Sequence, residues 1–149
     1  MRRFVTLIAT WWGTGFSPLA SGTVGTLAAI PLYLVLARLP FPLYVLTLVP
    51  FFFFSCWVAG AAEEVFAEKD SGKIVIDEVI GYLVTMAGAP LSWRAVILGF
   101  FLFRFFDIVK VPPANIIDRR LKNGWGVVLD DLVAGLYACI VLHLLLRFV

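Results

Sequence analysis

Long apolar stretches separated by short polar turns dominate this sequence. No charged residue occurs in residues 4–37, and none occurs in residues 39–62. A soluble domain of this size has too little interior to bury uncharged runs of that length. The pattern therefore indicates an integral membrane protein.

Charged, proline and glycine positions divide the chain into helical segments. The predicted segments are a short one over residues 4–12 and longer ones over about 24–37, 43–62, 77–89, 95–111 and 127–146. A Gly/Ser/Thr/Pro loop covers residues 13–23, and a turn is predicted at residues 123–126. We expect an all-α, polytopic membrane bundle in a single domain, residues 1–149. About four helices should span the bilayer, and short N-terminal and re-entrant segments should accompany them.

The composition also indicates a membrane protein, and it disfavours binding to nucleic acid. Hydrophobic residues make up 62% of the 149 residues, charged residues 15%, and the mean hydropathy is +0.98. A net charge of +2 gives no reason to expect a nucleic-acid partner. Cys56 and Cys139 lie inside apolar stretches, so we interpret them as buried, inert thiols.

Positive charges are distributed unequally between the two faces of the predicted bundle. One face would carry nine, namely Arg2, Arg3, Lys69, Lys73, Arg104, Lys110, Arg119, Arg120 and Lys122, and the other three, namely Arg38, Arg94 and Arg147. This bias predicts that the first face is cytoplasmic. The same face receives nearly all the unusual polar residues, which makes one shared site there a reasonable hypothesis.

Two acidic doublets, Asp77-Glu78 and Asp130-Asp131, precede apolar helical stretches. Pairing like charges beside hydrocarbon costs free energy, which a divalent cation would offset. Adjacent helical residues diverge by about 100°, so we expect one member of each doublet to face the site. The alternative is that these acids only cap their helices. Gly81 and Gly135 follow four residues after Asp77 and Asp131, and they predict close helix packing behind the acids.

Arg104, Asp107 and Lys110 recur at every third position and would form one polar stripe on a helix. They are either an ion-pair ladder at the membrane interface, or a site in which Asp107 binds metal and both cations bind phosphate. Carboxylates from three helices are the hard oxygen ligands that suit Mg²⁺.

A glycine-rich stretch opens the first long helix. Free backbone amides at such a helix start bind anions, so Ser21, Gly22, Thr23 and Gly25 are candidates for a phosphate site. The alternative to a phosphate site is a glycine-rich helix cap with no ligand, because no Walker motif follows. His143 lies in an apolar stretch and neither cysteine fits a phosphatase loop, so metal-activated water or an aspartate remains as the nucleophile.

Five stretches of the sequence, spread in order over nearly the whole chain, carry a family resemblance. They are residues 13–29, 77–81, 103–110, 118–119 and 124–135. In these stretches the chain resembles the bacterial phosphatidylglycerophosphatase A family. The one departure is that Lys110 is followed by Val111-Pro112-Pro113, where the family usually has Pro-x-Pro directly.

The resemblance implies an all-helical fold and Mg²⁺-dependent hydrolysis of phosphatidylglycerophosphate to phosphatidylglycerol. It also implies a multi-pass protein of the bacterial cytoplasmic (inner) membrane with its active site facing the cytoplasm. The partners would be the phospholipid substrate and the bilayer; the oligomeric state is open.

We therefore expect a Mg²⁺-dependent lipid phosphatase. The predicted metal ligands are Asp77, Glu78, Asp107 and Asp131. The predicted catalytic acids are Asp77, Asp107, Asp130 and Asp131. The predicted phosphate ligands are Arg104, Lys110 and the amides near Ser21, Gly22, Thr23 and Gly25. The alternatives are another lipid phosphate phosphatase, and a small membrane transporter or assembly protein whose acids form an ion site. Phosphatidyl transfer from a nucleotide-activated lipid is disfavoured, because no Arg follows Asp131 in the pattern that such enzymes carry.

Overall fold

The computed structural model describes the whole chain, Met1 to Val149, and it is entirely helical. Its α-helices are α1 (Arg2–Ala9), α2 (Ser21–Leu36), α3 (Phe41–Phe66), α4 (Ile76–Thr85), α5 (Trp93–Val109), α6 (Ala114–Arg120) and α7 (Gly124–Leu145), with a 3₁₀ turn at Thr14–Phe16. The absence of strands confirms the predicted all-α class.

Two helices, α3 with 26 residues and α7 with 22, are long and apolar enough to cross a membrane. Large apolar side chains point outward from α7 at Leu136, Ile140 and Leu144, four residues apart on one helix face. That face suits hydrocarbon. The prediction of about four spanning helices is not confirmed, because α2 and α5 have 16 and 17 residues.

Helix α4 is the centre of the bundle. It has ten residues and a length of roughly 15 Å, about half the thickness of a bilayer's hydrocarbon core. All of its residues except Glu78 are buried, and it packs against α2, α3, α5 and α7. The predicted segment at 77–89 is therefore wrong in length: the helix ends at Thr85 and is covered by other helices.

Two glycines allow α4 to lie directly against α7. A Cβ on Gly135 would collide with the carbonyl oxygen of Gly81, and one on Gly81 would collide with the Phe103 ring and lie 3.0 Å from the Asp131 carbonyl oxygen. The close packing expected from these two glycines is confirmed. This contact fixes the position of α4 along α7, and with it which residues of the two acidic doublets lie beside each other.

The start of α7 differs from the prediction. Residues 123–126 are not a free turn: the Asn123 side chain accepts hydrogen bonds from the amides of Trp125 and Gly126, each at 3.1 Å, and caps the helix. Asp130 and Asp131 consequently lie in the second turn of α7. The capping alternative is wrong for these two acids, because Asn123 already performs that role.

Candidate functional site

Three carboxylates, two buried and one half-buried, meet where α4 begins beside the second turn of α7. Asp77, Glu78 and Asp131 each contribute one oxygen to a cluster whose atoms all lie within 4.8 Å of one another. We call these three residues the acidic cluster. Asp77 and Asp131 are only 8% and 3% exposed. The structure thus brings together both members of one doublet and one member of the other.

Each residue of the acidic cluster has a buried oxygen without a hydrogen-bond partner. These atoms are Oδ1 of Asp77, Oε2 of Glu78 and Oδ2 of Asp131. Unpaired buried oxygens are costly, and three carboxylates this close also repel one another. A divalent cation among them would satisfy the oxygens and offset the repulsion. The donor set, all carboxylate oxygen, fits a hard cation such as Mg²⁺ or Mn²⁺.

The expectation of one principal carboxylate per doublet differs from the structure at α4. Asp77 and Glu78 lie in the first turn of the helix, where both side chains reach the space in front of its N-terminus. The positive end of the helix dipole also favours both charges there. In α7 the expectation agrees with the structure, because Asp131 enters the acidic cluster and Asp130 turns away.

Arg104 is the cation nearest to the acidic cluster. It forms an ion pair with Asp107, one turn further along α5, and its guanidinium lies 3.9 Å from Oε1 of Glu78. Its Nε atom is buried and has no partner. Asp107 is thus held beside the acidic cluster by Arg104 but is not one of its three members.

The first turn of α2 lies against the same residues. A Cβ on Gly22 would collide with Oε1 of Glu78 and lie 3.0 and 3.2 Å from the terminal nitrogens of Arg104. No side chain caps α2, and the amides of Ser21, Gly22 and Thr23 have no backbone acceptor. Free amides and a guanidinium therefore share one small space, which is the arrangement that binds a phosphate group.

The other predicted phosphate ligands on α2 have different surroundings. The Ser21 hydroxyl donates to the carbonyl of Gly72 at 2.6 Å, which ties α2 to the segment before α4. The space beside Gly25 is filled by Val75. These contacts give Ser21 and Gly25 side-chain or packing roles in holding α2 in place.

Lys110 does not continue the polar stripe of Arg104 and Asp107. It follows the last residue of α5 with a left-handed backbone (φ 50°), and its ammonium donates to Asp130 at 2.6 Å and Asp118 at 3.0 Å. Burial lowers the pKa of Lys110, but hydrogen bonds and charge attraction from Asp130, and then from Asp118, outweigh it and raise the pKa above its usual value.

Asp118 is a residue that we did not assign to the site from the sequence. It lies on α6 and pairs with Lys110. The available signal was its position in the Asp118-Arg119 pair of the family-like stretches. Nothing in the local sequence predicts that α6 folds back to Lys110.

These features define a class: a membrane-associated helical protein with a buried carboxylate site beside a basic, amide-lined anion site. The sequence profile of the family described as Phosphatidylglycerophosphatase A matches residues 7–146. The chain belongs to this family, and it is accordingly an enzyme, a lipid phosphatase.

Three curated proteins are similar to the chain over most of its length. The chain is 35% identical over 138 residues to Phosphatidylglycerophosphatase A of Escherichia coli, covering 92% of this chain and 80% of that protein. It is 36% identical over 137 residues to the Haemophilus influenzae protein of the same name, covering 91% and 84%. A Bacteroides thetaiotaomicron relative, 38% identical over 144 residues and covering 91% and 89%, is provisionally named a phosphatidylinositol-3-phosphatase. No solved structure matches the chain.

Proposed function

We propose that this enzyme hydrolyses phosphatidylglycerophosphate to phosphatidylglycerol and inorganic phosphate with Mg²⁺ as its cofactor. The observation that carries the proposal is the acidic cluster, with its unpaired buried oxygens, next to Arg104 and the open start of α2. The family relationship supports the substrate, because two relatives are named for it.

Asp77, Glu78 and Asp131 would hold the Mg²⁺ through their unpaired oxygens. When bound, such an ion polarises phosphoryl oxygens and makes water more acidic. We leave Asp130 out of the ligand set, because both of its oxygens already accept hydrogen bonds.

Arg104 and the amides of Ser21, Gly22 and Thr23 bind and orient the terminal phosphate. Their donors complement the negative charge on its oxygens and hold the phosphorus at a fixed distance from the acidic cluster. Asp107 keeps the guanidinium of Arg104 in position through their ion pair.

The reaction breaks the bond between phosphorus and the glycerol oxygen, and water supplies the new oxygen on phosphorus. We assign the water proton to the Asp107 carboxylate, which lies beside the phosphate site and outside the acidic cluster. The departing glycerol oxygen takes up a proton from solvent and Asp107 releases its proton to solvent, so that the products are phosphatidylglycerol and phosphate and the carboxylate is restored.

The membrane placement is part of the proposal. We propose a multi-pass protein of the bacterial cytoplasmic membrane, with α2 and α5 as further spans beside α3 and α7. The bias of positive charge supports a site at the cytoplasmic face, where a lipid headgroup would meet it while its acyl chains stay in the bilayer.

The test is phosphate release by the purified protein in detergent micelles. The substrates are phosphatidylglycerophosphate, phosphatidic acid and phosphatidylinositol 3-phosphate, each with Mg²⁺ or with EDTA, and Asp131→Asn is the inactive control. We expect phosphatidylglycerophosphate to be the fastest substrate and EDTA to abolish release. Undiminished activity in EDTA would contradict the metal, and faster release from either other lipid would contradict the substrate.

A further inference from the structure

Lys110 links three helices at a point next to the acidic cluster. It follows the end of α5, its ammonium bonds to Asp118 on α6 at 3.0 Å, and it bonds to Asp130 on α7 at 2.6 Å. Of the two carboxylates, Asp130 is the deeply buried one, at 4% exposure. A carboxylate at that depth requires a cationic partner, and Lys110 is the only residue that forms an ion pair with it.

The second oxygen of Asp130 connects this ion pair to the acidic cluster. Oδ1 of Asp130 accepts a hydrogen bond from the backbone amide of Asp131 at 2.9 Å. The Asp131 side chain then enters the acidic cluster with its Oδ2 unpaired. An unbroken series of contacts therefore runs from Lys110 through Asp130 to one proposed metal ligand.

This geometry leaves Lys110 poorly suited to bind phosphate. An ammonium has three hydrogen-bond donors, and two of them are engaged by Asp118 and Asp130. A phosphate would have to compete with a short bond to a buried carboxylate. Arg104, in contrast, keeps a buried donor nitrogen without a partner.

We propose that Lys110 is a positioning residue that acts on the metal site and does not bind the substrate phosphate. This inference rests on the metal site proposed above. Lys110 neutralises Asp130, so that only Asp131 of this doublet joins the acidic cluster. Without Lys110, Asp130 would be a further unpaired buried acid next to the cluster, and its rotation toward a cation there would displace Asp131.

Mn²⁺ binding to the purified protein in detergent, followed by electron paramagnetic resonance without substrate, tests the proposal. The variants are Lys110→Met, the double variant Lys110→Met/Asp130→Asn, and Lys73→Met as a control. Lys73 is exposed, forms no ion pair, and has its ammonium 5.4 Å from the centre of the Phe66 ring. Asn at position 130 keeps an oxygen for the Asp131 amide but removes the charge that Lys110 neutralises. KM and kcat for phosphatidylglycerophosphate are measured on the same preparations.

We expect Lys110→Met to weaken Mn²⁺ binding about tenfold, the usual size for a residue that supports a metal ligand. The double variant should recover Mn²⁺ affinity and show the KM of the parent protein, and Lys73→Met should match the parent throughout. Unchanged Mn²⁺ affinity in Lys110→Met would overturn the proposal.

A raised KM in the double variant would also overturn it, because that result identifies Lys110 as a phosphate ligand. This second criterion applies even if Lys110→Met alone does not fold. The Mn²⁺ comparison needs no substrate, so it is decided independently of whether phosphatidylglycerophosphate is the correct lipid.

Discussion

The two acidic doublets carry the same charge but differ in how many of their carboxylates enter the acidic cluster. In α4, Asp77 and Glu78 both enter the acidic cluster. In α7, Asp131 enters it while Asp130 accepts hydrogen bonds from Lys110 and from the Asp131 amide. The first doublet starts a helix and the second lies inside one. Position within the helix, together with the neighbouring cation, decides how many acids of a doublet are available to a metal.

This difference also separates two ways of stabilising buried negative charge. Asp130 is satisfied within the chain, by the Lys110 ammonium on one oxygen and by the Asp131 amide on the other. The acidic cluster has only Arg104 nearby, at 3.9 Å from Glu78 and already paired with Asp107. The cluster therefore carries excess negative charge that a bound cation would neutralise. The doublet in α7 contributes only Asp131 to that charge.

The largest expected effect distinguishes the two acids of the α7 doublet. Asp131→Asn should lower phosphate release at least about a hundredfold, because it removes a proposed metal ligand. Asp130→Asn should cost about tenfold or less, since Asn keeps an acceptor for the Asp131 amide. Phosphate release at saturating Mg²⁺ measures both. Equal losses in the two variants would mean that the doublet acts as a unit.

The second prediction concerns the helix contact that sets the doublets at one height. Gly135→Ala should destabilise the protein by about 1–3 kcal/mol, because its Cβ would collide with the Gly81 carbonyl oxygen. Gly72→Ala is the matched control, since a Cβ there meets nothing within 4 Å. Thermal unfolding in detergent compares the two. A Gly135→Ala variant as stable as the control would contradict the close contact between α4 and α7.

The third prediction addresses the proposed phosphate site at the start of α2, next to Glu78 of the α4 doublet. Gly22→Ala should reduce kcat/KM for the lipid substrate about tenfold, because its Cβ would press on Glu78 and Arg104 together. Steady-state phosphate release in mixed micelles is the measurement, with Gly72→Ala again as the control. Full activity in Gly22→Ala would show that the start of α2 is not close to the reacting phosphate.

The smallest expected effect is on the melting temperature of the metal-free protein, which the two α7 substitutions should shift in opposite directions. In EDTA, Asp131→Asn should raise the melting temperature by a few degrees, because it removes one of several mutually repelling buried carboxylates. Asp130→Asn should lower it by a similar amount, because the Lys110 ammonium loses a buried partner. Thermal unfolding with and without Mg²⁺ gives both values. A change of the same sign in both variants would remove the proposed distinction between them.

The helical class, the approximate positions of all helices except α6, and a set of candidate site acids could be predicted from the sequence. Uncharged runs between residues 4 and 62 favour apolar helices, and charged or proline residues end most helices within a few positions of the prediction. Acids in otherwise apolar helices are costly, so the sequence indicates Asp77, Glu78, Asp107, Asp130 and Asp131 alike, and only three of these five meet in the acidic cluster.

Tertiary structure decided which of these residues meet. Sequence periodicity placed Lys110 on a stripe with Arg104, but α5 ends at Val109 and the left-handed backbone of Lys110 directs it to Asp118 and Asp130. It also placed Asp130 and Asp131 at a helix start, whereas Asn123 caps α7 and leaves both acids in its second turn. Local sequence determines where a helix can form and which residues are expensive to bury. Only the packing of α4, α5 and α6 against α7 determines which charges neutralise one another and which remain free for a cation, because those partners are distant in the chain.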